Sequence, residues 1–397
     1  MVKLQLETLS PVYIGNTGNE YSRSEFVFIF SNKKKILVRL NLDLVAQELY
    51  NADKKLFDEF LEVISDTKSF KNIKTKKQNN QYNQKDRTDL KRMSKFVSGR
   101  IKSYDKNLYK KIMIDCSSYN AILKYAPESK VINGEKVLIR KSKIESTDDI
   151  GLIKENLKTN NKPYISGSSI KGAIRNTLLF SKLNLNGKSN KESSNMIRNV
   201  DNKKIKGLMT FIQFSDTLNT IDNPSIYGIE SIGTKNTFSF IETIDKGNHF
   251  EFEYRNTFND SVHNPRILSD FDLSVDSIFK YIYNFSNDIL EEELRFIDET
   301  IEYDELYSEV DSGKLYNHYN NLKEKNSEES PLLRLGQGSG ALGVSQLLKV
   351  KNSRNIYEFT SFRRSNDLGH KYVYDFPKTR KLIVNSLEPL GWVQLSK

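Results

Sequence analysis

The residues best suited to chemistry lie in one run, Tyr164-Ile165-Ser166-Gly167-Ser168-Ser169-Ile170-Lys171-Gly172-Ala173-Ile174-Arg175. Pro163 and Gly167 punctuate a loop there. Ser168 or Ser169 can then cap a helix whose apolar residues Ile170, Ile174, Leu178 and Leu179 recur at helical spacing. The first turn of a helix offers unpaired N–H groups to an anion. Lys171 and Arg175, four residues apart, project from one face beside that end. Glycine admits a close backbone, serine supplies hydrogen bonds, and the two cations add attraction. The set reads as a phosphate-binding design. It is not a nucleotide-hydrolase loop, because Ala173-Ile174 stand where that motif requires Lys and Ser/Thr. The competing reading is an ordinary capped amphipathic helix.

A second candidate is Arg334-Leu335-Gly336-Gln337-Gly338-Ser339-Gly340-Ala341-Leu342-Gly343. Gly338 to Gly343 fits G-x-G-x-x-G, and Glu358 follows about twenty residues on, as a dinucleotide site requires. The motif starts too late, however, to leave chain for the strands and crossover helices of a Rossmann domain. We read it instead as a flexible backbone surface presenting N–H groups to a phosphate chain, with Arg334 beside it and Arg354, Arg363 and Arg364 beyond. A third candidate is the basic stretch 68–111, where many Lys and Arg face only Asp86, Asp89 and Asp105. Its interleaved Tyr82, Phe96, Tyr104 and Tyr109 can stack on unpaired bases, or the stretch is simply a solvated face.

Hydrolytic chemistry leaves no linear trace. His249, His263, His318 and His370 are scattered without ligand spacing, and Cys116 is the single cysteine, without a catalytic signature. Acid–base chemistry by dispersed His, Tyr and Lys would leave no motif.

The elements that must position these residues follow from periodicity. Residues 3–9 alternate as a half-buried strand, and Val12 to Asn19 reads as a strand end entering a glycine loop. Phe26–Phe30 and Ile36–Leu40 read as a hairpin, then one helix from Asn41 or Asp43 through Ile64. Asn133-Gly134 marks a hairpin turn whose second arm leads to Arg140, Lys141 and Lys143. Asn184 to Lys206 is polar and reads as a loop, Leu208 to Phe214 as a strand, and 226–232, 237–244 and 249–255 as further strands. Residues 274–325 are helical and acidic, and so are expected to face away from nucleic acid or toward a protein partner. Residues 389–395 close the fold as an edge strand. The class is α+β with an antiparallel sheet: a core over 1–265 carrying the basic insertion, an acidic helical insertion over 266–330, and a return to the core over 331–397. The net charge of +10 points to a polyanionic partner. A lone cysteine, no signal-like start and no membrane-length apolar run suggest a soluble, cytoplasmic protein.

Three features coincide: Leu9-Ser10-Pro11-Val12-Tyr13-Ile14-Gly15, the central Ile165 to Arg175 run, and the late glycine-rich loop. Together they resemble the RAMP superfamily of CRISPR effector subunits. Length, order and the ending Gly391-Trp392-Val393 are most similar to the type III-A Csm-complex subunit that caps the backbone at the guide-RNA 3′ side. The resemblance implies a ferredoxin-like (RNA-recognition-like) core, a thumb-like hairpin placed here between Thr217 and Lys235, and contact with CRISPR RNA, target RNA and other type III-A subunits. It places Gly167, Ser168, Ser169, Lys171 and Arg175 on guide-backbone positions. Gly336, Gly338, Ser339 and Gly340 match the glycine-rich loop, with Arg334, Gly15 and Asn16 assigned to RNA binding beside them. It also implies a role in guide 3′-end maturation, with trimming by cellular nucleases, and no cofactor or metal. Target-slicing members carry an aspartate in the loop after the first strand; residues 15–26 hold Glu20 and Glu25 but no aspartate, so slicing is not carried over. The rivals are a RAMP-type repeat endonuclease using a histidine such as His249, and a protein-only assembly adaptor.

Overall fold

The computed structural model describes residues 1–397 apart from 32–33, 66–90, 125–128, 133–134, 139–149, 187, 189, 234–237, 259–270, 303–306, 309 and 353–378. Tyr82, the Asn133-Gly134 turn, Arg140, Lys141, Lys143, His263, His370, Glu358, Arg354, Arg363 and Arg364 lie outside the described residues. The first half runs β1 (Val2–Thr8), β2 (Gly15–Ser22), β3 (Phe26–Ser31), β4 (Lys34–Leu40), α1 (Leu42–Ala52), α2 (Lys54–Ser65), α3 (Lys106–Ile114) and β5 (Ser117–Leu123). Next come β6 (Ser129–Ile132), β7 (Glu135–Leu138), β8 (Leu152–Asn156), β9 (Lys158–Thr159), β10 (Lys162–Pro163), α4 (Gly167–Lys182) and α5 (Asn190–Val200). The second half contains β11 (Ile212–Phe214), β12 (Ser225–Ile232), β13 (Phe238–Thr243), β14 (His249–Asn256), α6 (Val275–Phe296) and α7 (Ser312–Lys325). It closes with β15 (Leu332–Arg334), α8 (Gly340–Val344), β16 (Arg380–Ile383) and β17 (Trp392–Ser396).

The first sheet has the order β11-β14-β1-β17-β15 and is antiparallel throughout. Its alternation is strict: Leu4 faces Phe252 and Leu6 faces Phe250, so one register puts the apolar residues of β1 and β14 on one side. Ile170, Ile174 and Leu178 of α4 and Ile278, Phe279 and Ile282 of α6 share that core with Leu4 and Leu6.

The second sheet follows the order β2-β8-β13-β12-β5-β4-β3, with β16 also on β12. It is mixed, because β8 with β13 and β5 with β12 are parallel. Val27, Val38 and Leu40 face a helical layer that includes Val45, Leu49, Leu56, Phe60, Met93 and Phe96. Its other side curls, barrel-like, around Tyr21, Phe26, Leu37, Tyr119, Ile226 and Phe240, bringing the Tyr21 and Phe26 rings of the two outer strands to 5.7 Å. An ionic group lies in that interior. Glu242, fully buried, accepts from Tyr119 Oη at 2.6 Å and pairs with Lys158 Nζ at 2.8 Å, and Glu155 links Lys158 to Arg39. Burial holds Lys158 below its ordinary pKa and Glu242 above its own, against the pull of each on the other.

Helix α6 joins the halves. Ile278 and Ile282 belong to the first core, whereas Phe285, Ile289, Leu290 and Phe296 belong to a second that includes Leu332, Leu382 and Trp392. The acidic segment is therefore amphipathic, with its apolar stripe inside. Two of its carboxylates are inside as well: Glu292 and Glu293 are buried. Glu293 accepts from Arg334 at 3.2 Å and from Arg380 at 2.5 Å, so one carboxylate holds a guanidinium from each sheet.

Several expectations are corrected. Val12 to Asn19 does not run out into a loop, because β2 begins at Gly15 and pairs with β8. The single helix after Asn41 is two. Asp53 is extended (φ −165°, ψ 121°), and its side chain accepts from Leu56 N–H at 3.0 Å, ending one helix and capping the next. Residues 184–206 are largely helical, because Ile205 is buried and Met196, Ile197 and Val200 pack against the first core. No thumb projects from the described part of 217–235. β12 is paired to β13, β5 and β16, and Ile226 and Ile229 are buried. Phe96 stacks on Phe60 at 6.1 Å in the core, so it does not stack on bases.

The Glu293 contact predicts a large effect. Glu293→Ala removes the one carboxylate that two buried guanidiniums share, at a cost of roughly 3–5 kcal/mol. Lys323→Ala, which breaks a half-exposed pair with Glu291, costs about 1 kcal/mol or less. Chemical denaturation of both variants checks the contrast.

Candidate nucleic-acid interface

Helix α4 begins two or three residues earlier than a cap at Ser168 or Ser169 would start it. Ser166 is the cap, with extended backbone (φ −73°, ψ 140°) and Oγ accepting from Ser169 N–H at 3.3 Å. Ser168 or Ser169 satisfies the same local rule, but each is already inside the helix. Gly167 N–H donates to Asp216 Oδ1 at 2.8 Å. The N-terminus expected to receive a phosphate thus already holds a serine and a carboxylate, which satisfy two of its N–H groups. Burial and the Asp216 charge also hold the Tyr164 phenol above its ordinary pKa.

The two glycines of the motif have opposite surroundings. A Cβ at Gly167 would sit 2.2 Å from Phe214 O and 2.5 Å from Ser215 O, so the helix start is pressed against the end of β11. At Gly172 the same atom would meet nothing within 4 Å, and the residue is exposed. Ser168, one turn before it, is exposed as well. Lys171 and Arg175 are half-buried, and among the described residues Lys171 makes no ion pair. Arg175 is held by Asp201 through Nη2. The face bearing Ser168, Lys171, Gly172 and Arg175 is what this helix leaves outside the core.

The glycine-rich segment is a packing seam rather than a flexible surface. Gly336 adopts φ +80°, and its added Cβ would lie 2.2 Å from Tyr13 O; Gln337 N–H donates to that oxygen at 3.1 Å. A Cβ added at Gly338 would lie 2.3 Å from Leu390 Cβ, and one added at Gly15 would lie 2.3 Å from Gln337 Nε2. Ser339 is buried and donates to Gly336 O at 2.8 Å. Gly340 is exposed and opens α8. Arg334 is buried, bound to Glu293 and to the carbonyls of Leu390 and Gly338. It therefore does not face a phosphate chain. Asn16 lies within β2, and its side chain is outside the described ones.

The structure thus unites Gly167, Ser168, Ser169, Lys171 and Arg175 on one helix and places Gly15, Gly336, Gly338 and Ser339 in a separate seam. Sequence reasoning missed Asp201 and Asp216. The helical spacing of Met196, Ile197, Val200 and Ile205 was the available signal for the first; nothing local marks the second. Glu25 is structural: it accepts from Ser22 N–H at 2.6 Å and meets Arg39. Among the described residues no group of three or more His, Cys, Asp or Glu is placed to hold a metal ion, and no helix is long and apolar enough to cross a membrane. His249 is exposed at the start of β14, and His318 Nε2 lies 2.9 Å from Ser386 O.

An antiparallel sheet bearing a glycine- and serine-led helix, beside a second, barrel-like sheet, defines a known class. Residues 5–310 match the family model described as RAMP superfamily, and the chain belongs to that superfamily. The curated protein "CRISPR system Cms protein Csm5" of Methanocaldococcus jannaschii is 26% identical over 336 residues, covering 71% of this chain and 74% of that one. Two solved structures share the fold over nearly the whole length. One is a chain of the cryo-EM structure of a Csm-crRNA-target RNA ternary complex of a type III-A CRISPR-Cas system, with TM-score 0.63, 20% identity and 100% of both chains covered. The other is the crystal structure of T.onnurineus Csm5, with TM-score 0.54, 18% identity and coverage of 98% and 99%.

The contrast between the glycines predicts a split. Gly167→Ala drives a methyl into two carbonyls and lowers the melting temperature, whereas Gly172→Ala gains helix propensity and stabilises by roughly 0.5–1 kcal/mol. Thermal melting of the two variants, measured side by side, tests this; equal shifts would contradict it.

Proposed function

We propose that the protein is a non-catalytic, RNA-binding subunit of a type III-A CRISPR interference complex, capping its backbone at the guide 3′ side. The observation that carries this is the outward face of α4, with Ser168, Lys171, Gly172 and Arg175, in a chain similar over its full length to a subunit of a Csm-crRNA-target RNA complex. Exposed glycine in a helix interior costs stability and gives the core nothing, so its use lies in letting another backbone come close. Lys171 and Arg175 supply the cationic part of a phosphate contact. The first sheet fits a ferredoxin-like reading: β1, α4, β11, β14, α6 and β17 follow β-α-β-β-α-β order, with β14 and β1 central. Guide and target RNA and neighbouring subunits are its partners, and guide 3′ trimming falls to cellular nucleases.

Purified full-length protein should shift labelled single-stranded RNA without cutting it, with or without divalent cations. Affinity should fall with salt at a log–log slope of about −0.7 per phosphate contact. Lys171→Ala should flatten that slope by about one contact while the melting temperature holds. Salt-independent binding would refute the phosphate reading. Cleavage that survives repurification and disappears in His249→Ala would establish the endonuclease reading instead.

A further inference from the structure

The segment between α4 and β11 holds a group that the function above does not use. Helix α5 runs into a π-helical turn, Asp201–Ile205, whose Ile205 is fully buried in the same core as Ile174 and Leu178 of α4. A π turn inserts one residue into the helical ladder, and such turns recur at functional sites. Here the turn seats Asp201 against Arg175. Both carboxylate oxygens accept from Arg175 Nη2, Oδ1 at 2.5 Å. The pair stays at the surface, with side-chain exposures of 38% for Arg175 and 24% for Asp201.

The guanidinium presents five N–H groups in a planar fork. Asp201 engages only those on Nη2. Nη1 and Nε have no partner among the described residues. A long side chain anchored through one nitrogen has lost much of its freedom before any ligand arrives, so a second anion meets a fork already in place. Lys203 and Lys206, exposed in the same turn and just after it, offset the negative charge that Asp201 brings.

We propose that Asp201 is a positioning residue for RNA binding. Its carboxylate fixes Arg175 from one side so that Nη1 and Nε donate to an RNA phosphodiester on the other. The proposal rests on the RNA-binding reading of α4. It opposes the simplest electrostatic expectation, in which deleting an acidic group beside a polyanion tightens binding. It also opposes the view of Asp201 as a phosphate mimic that RNA must displace, since displacement likewise predicts tighter binding once the carboxylate is gone.

The test titrates a labelled single-stranded RNA oligonucleotide with the full-length chain across a salt series. Asp201→Ala should weaken binding by about tenfold or more, the scale of one charge-assisted contact, and flatten the salt slope by about 0.7. The double variant Asp201→Ala with Arg175→Ala should bind no more weakly than Arg175→Ala alone. Arg175→Lys keeps the charge but replaces the rigid planar fork with three N–H groups on one freely rotating nitrogen, so it should bind more weakly than wild type. Unchanged or tighter binding by Asp201→Ala overturns the proposal, as does wild-type affinity in Arg175→Lys. If Asp201→Ala unfolds, Arg175→Lys decides the question. A wild-type chain that binds no RNA refutes the RNA-binding reading itself; a wild type that binds while these variants match it refutes only the role of Asp201.

Discussion

One buried carboxylate ties this molecule together. Glu293, 1% exposed, binds Arg334 of the first sheet and Arg380 of the second, and it does so from the helix that spans both cores. Two guanidiniums cannot be kept out of water beside each other without an anion between them, so the position of α6 is fixed by charge as well as by packing. The same Arg334 lies 5.3 Å from the Trp392 ring and donates to Leu390 O at 3.2 Å, while the backbone N–H of Trp392 donates to Ser10 Oγ at 2.9 Å. The constraint therefore reaches from α6 through the glycine seam to the start and end of the chain. Gly336 and Gly338 are glycines because Tyr13 and Leu390 lie where their side chains would be.

That arrangement sorts the cations of a strongly basic chain into two kinds. Arg334, Arg380, Arg39 and Lys158 are consumed by internal carboxylates and hold the fold. Net charge does not distinguish these from cations that remain outside. Lys171 is outside, and Arg175 is bound on one nitrogen only. Helix α4 can present them rigidly because Gly167 locks its first turn against β11, and Ile170, Ile174 and Leu178 lock its inner face. The same residue type serves two ends on one helix: Gly167 for contact within the chain, Gly172 for an open surface.

Much of this was legible in the sequence. Alternation located β1 and β14, and the apolar stripe of Ile278, Phe279, Ile282, Phe285 and Ile289 located α6. Residues 389–395 do end in a strand, β17, but it lies between β1 and β15 and not at an edge of the sheet. The central motif was found as a helix start with its cations on one face. What failed did so for identifiable reasons. Ser166, Ser168 and Ser169 satisfy the same capping rule, so tertiary contact with Asp216 and Phe214 chose among them. Residues 184–206 are so rich in Asn, Lys and Ser that composition masked their helical spacing. The glycine-rich segment announced conformational freedom, but a sequence does not reveal that Tyr13 and Leu390 close upon it. Arg334 looked available because Glu293, its partner, lies 41 residues away.

The decisive measurement is photocross-linking of the full-length chain to thiouridine-substituted RNA, with the cross-linked peptides identified by mass spectrometry. If the outer face of α4 carries the RNA, cross-links fall on peptides spanning 164–175 and 200–206. Cross-links confined to 332–344, with none on α4, would contradict it and return the glycine-rich segment to the role its sequence suggests.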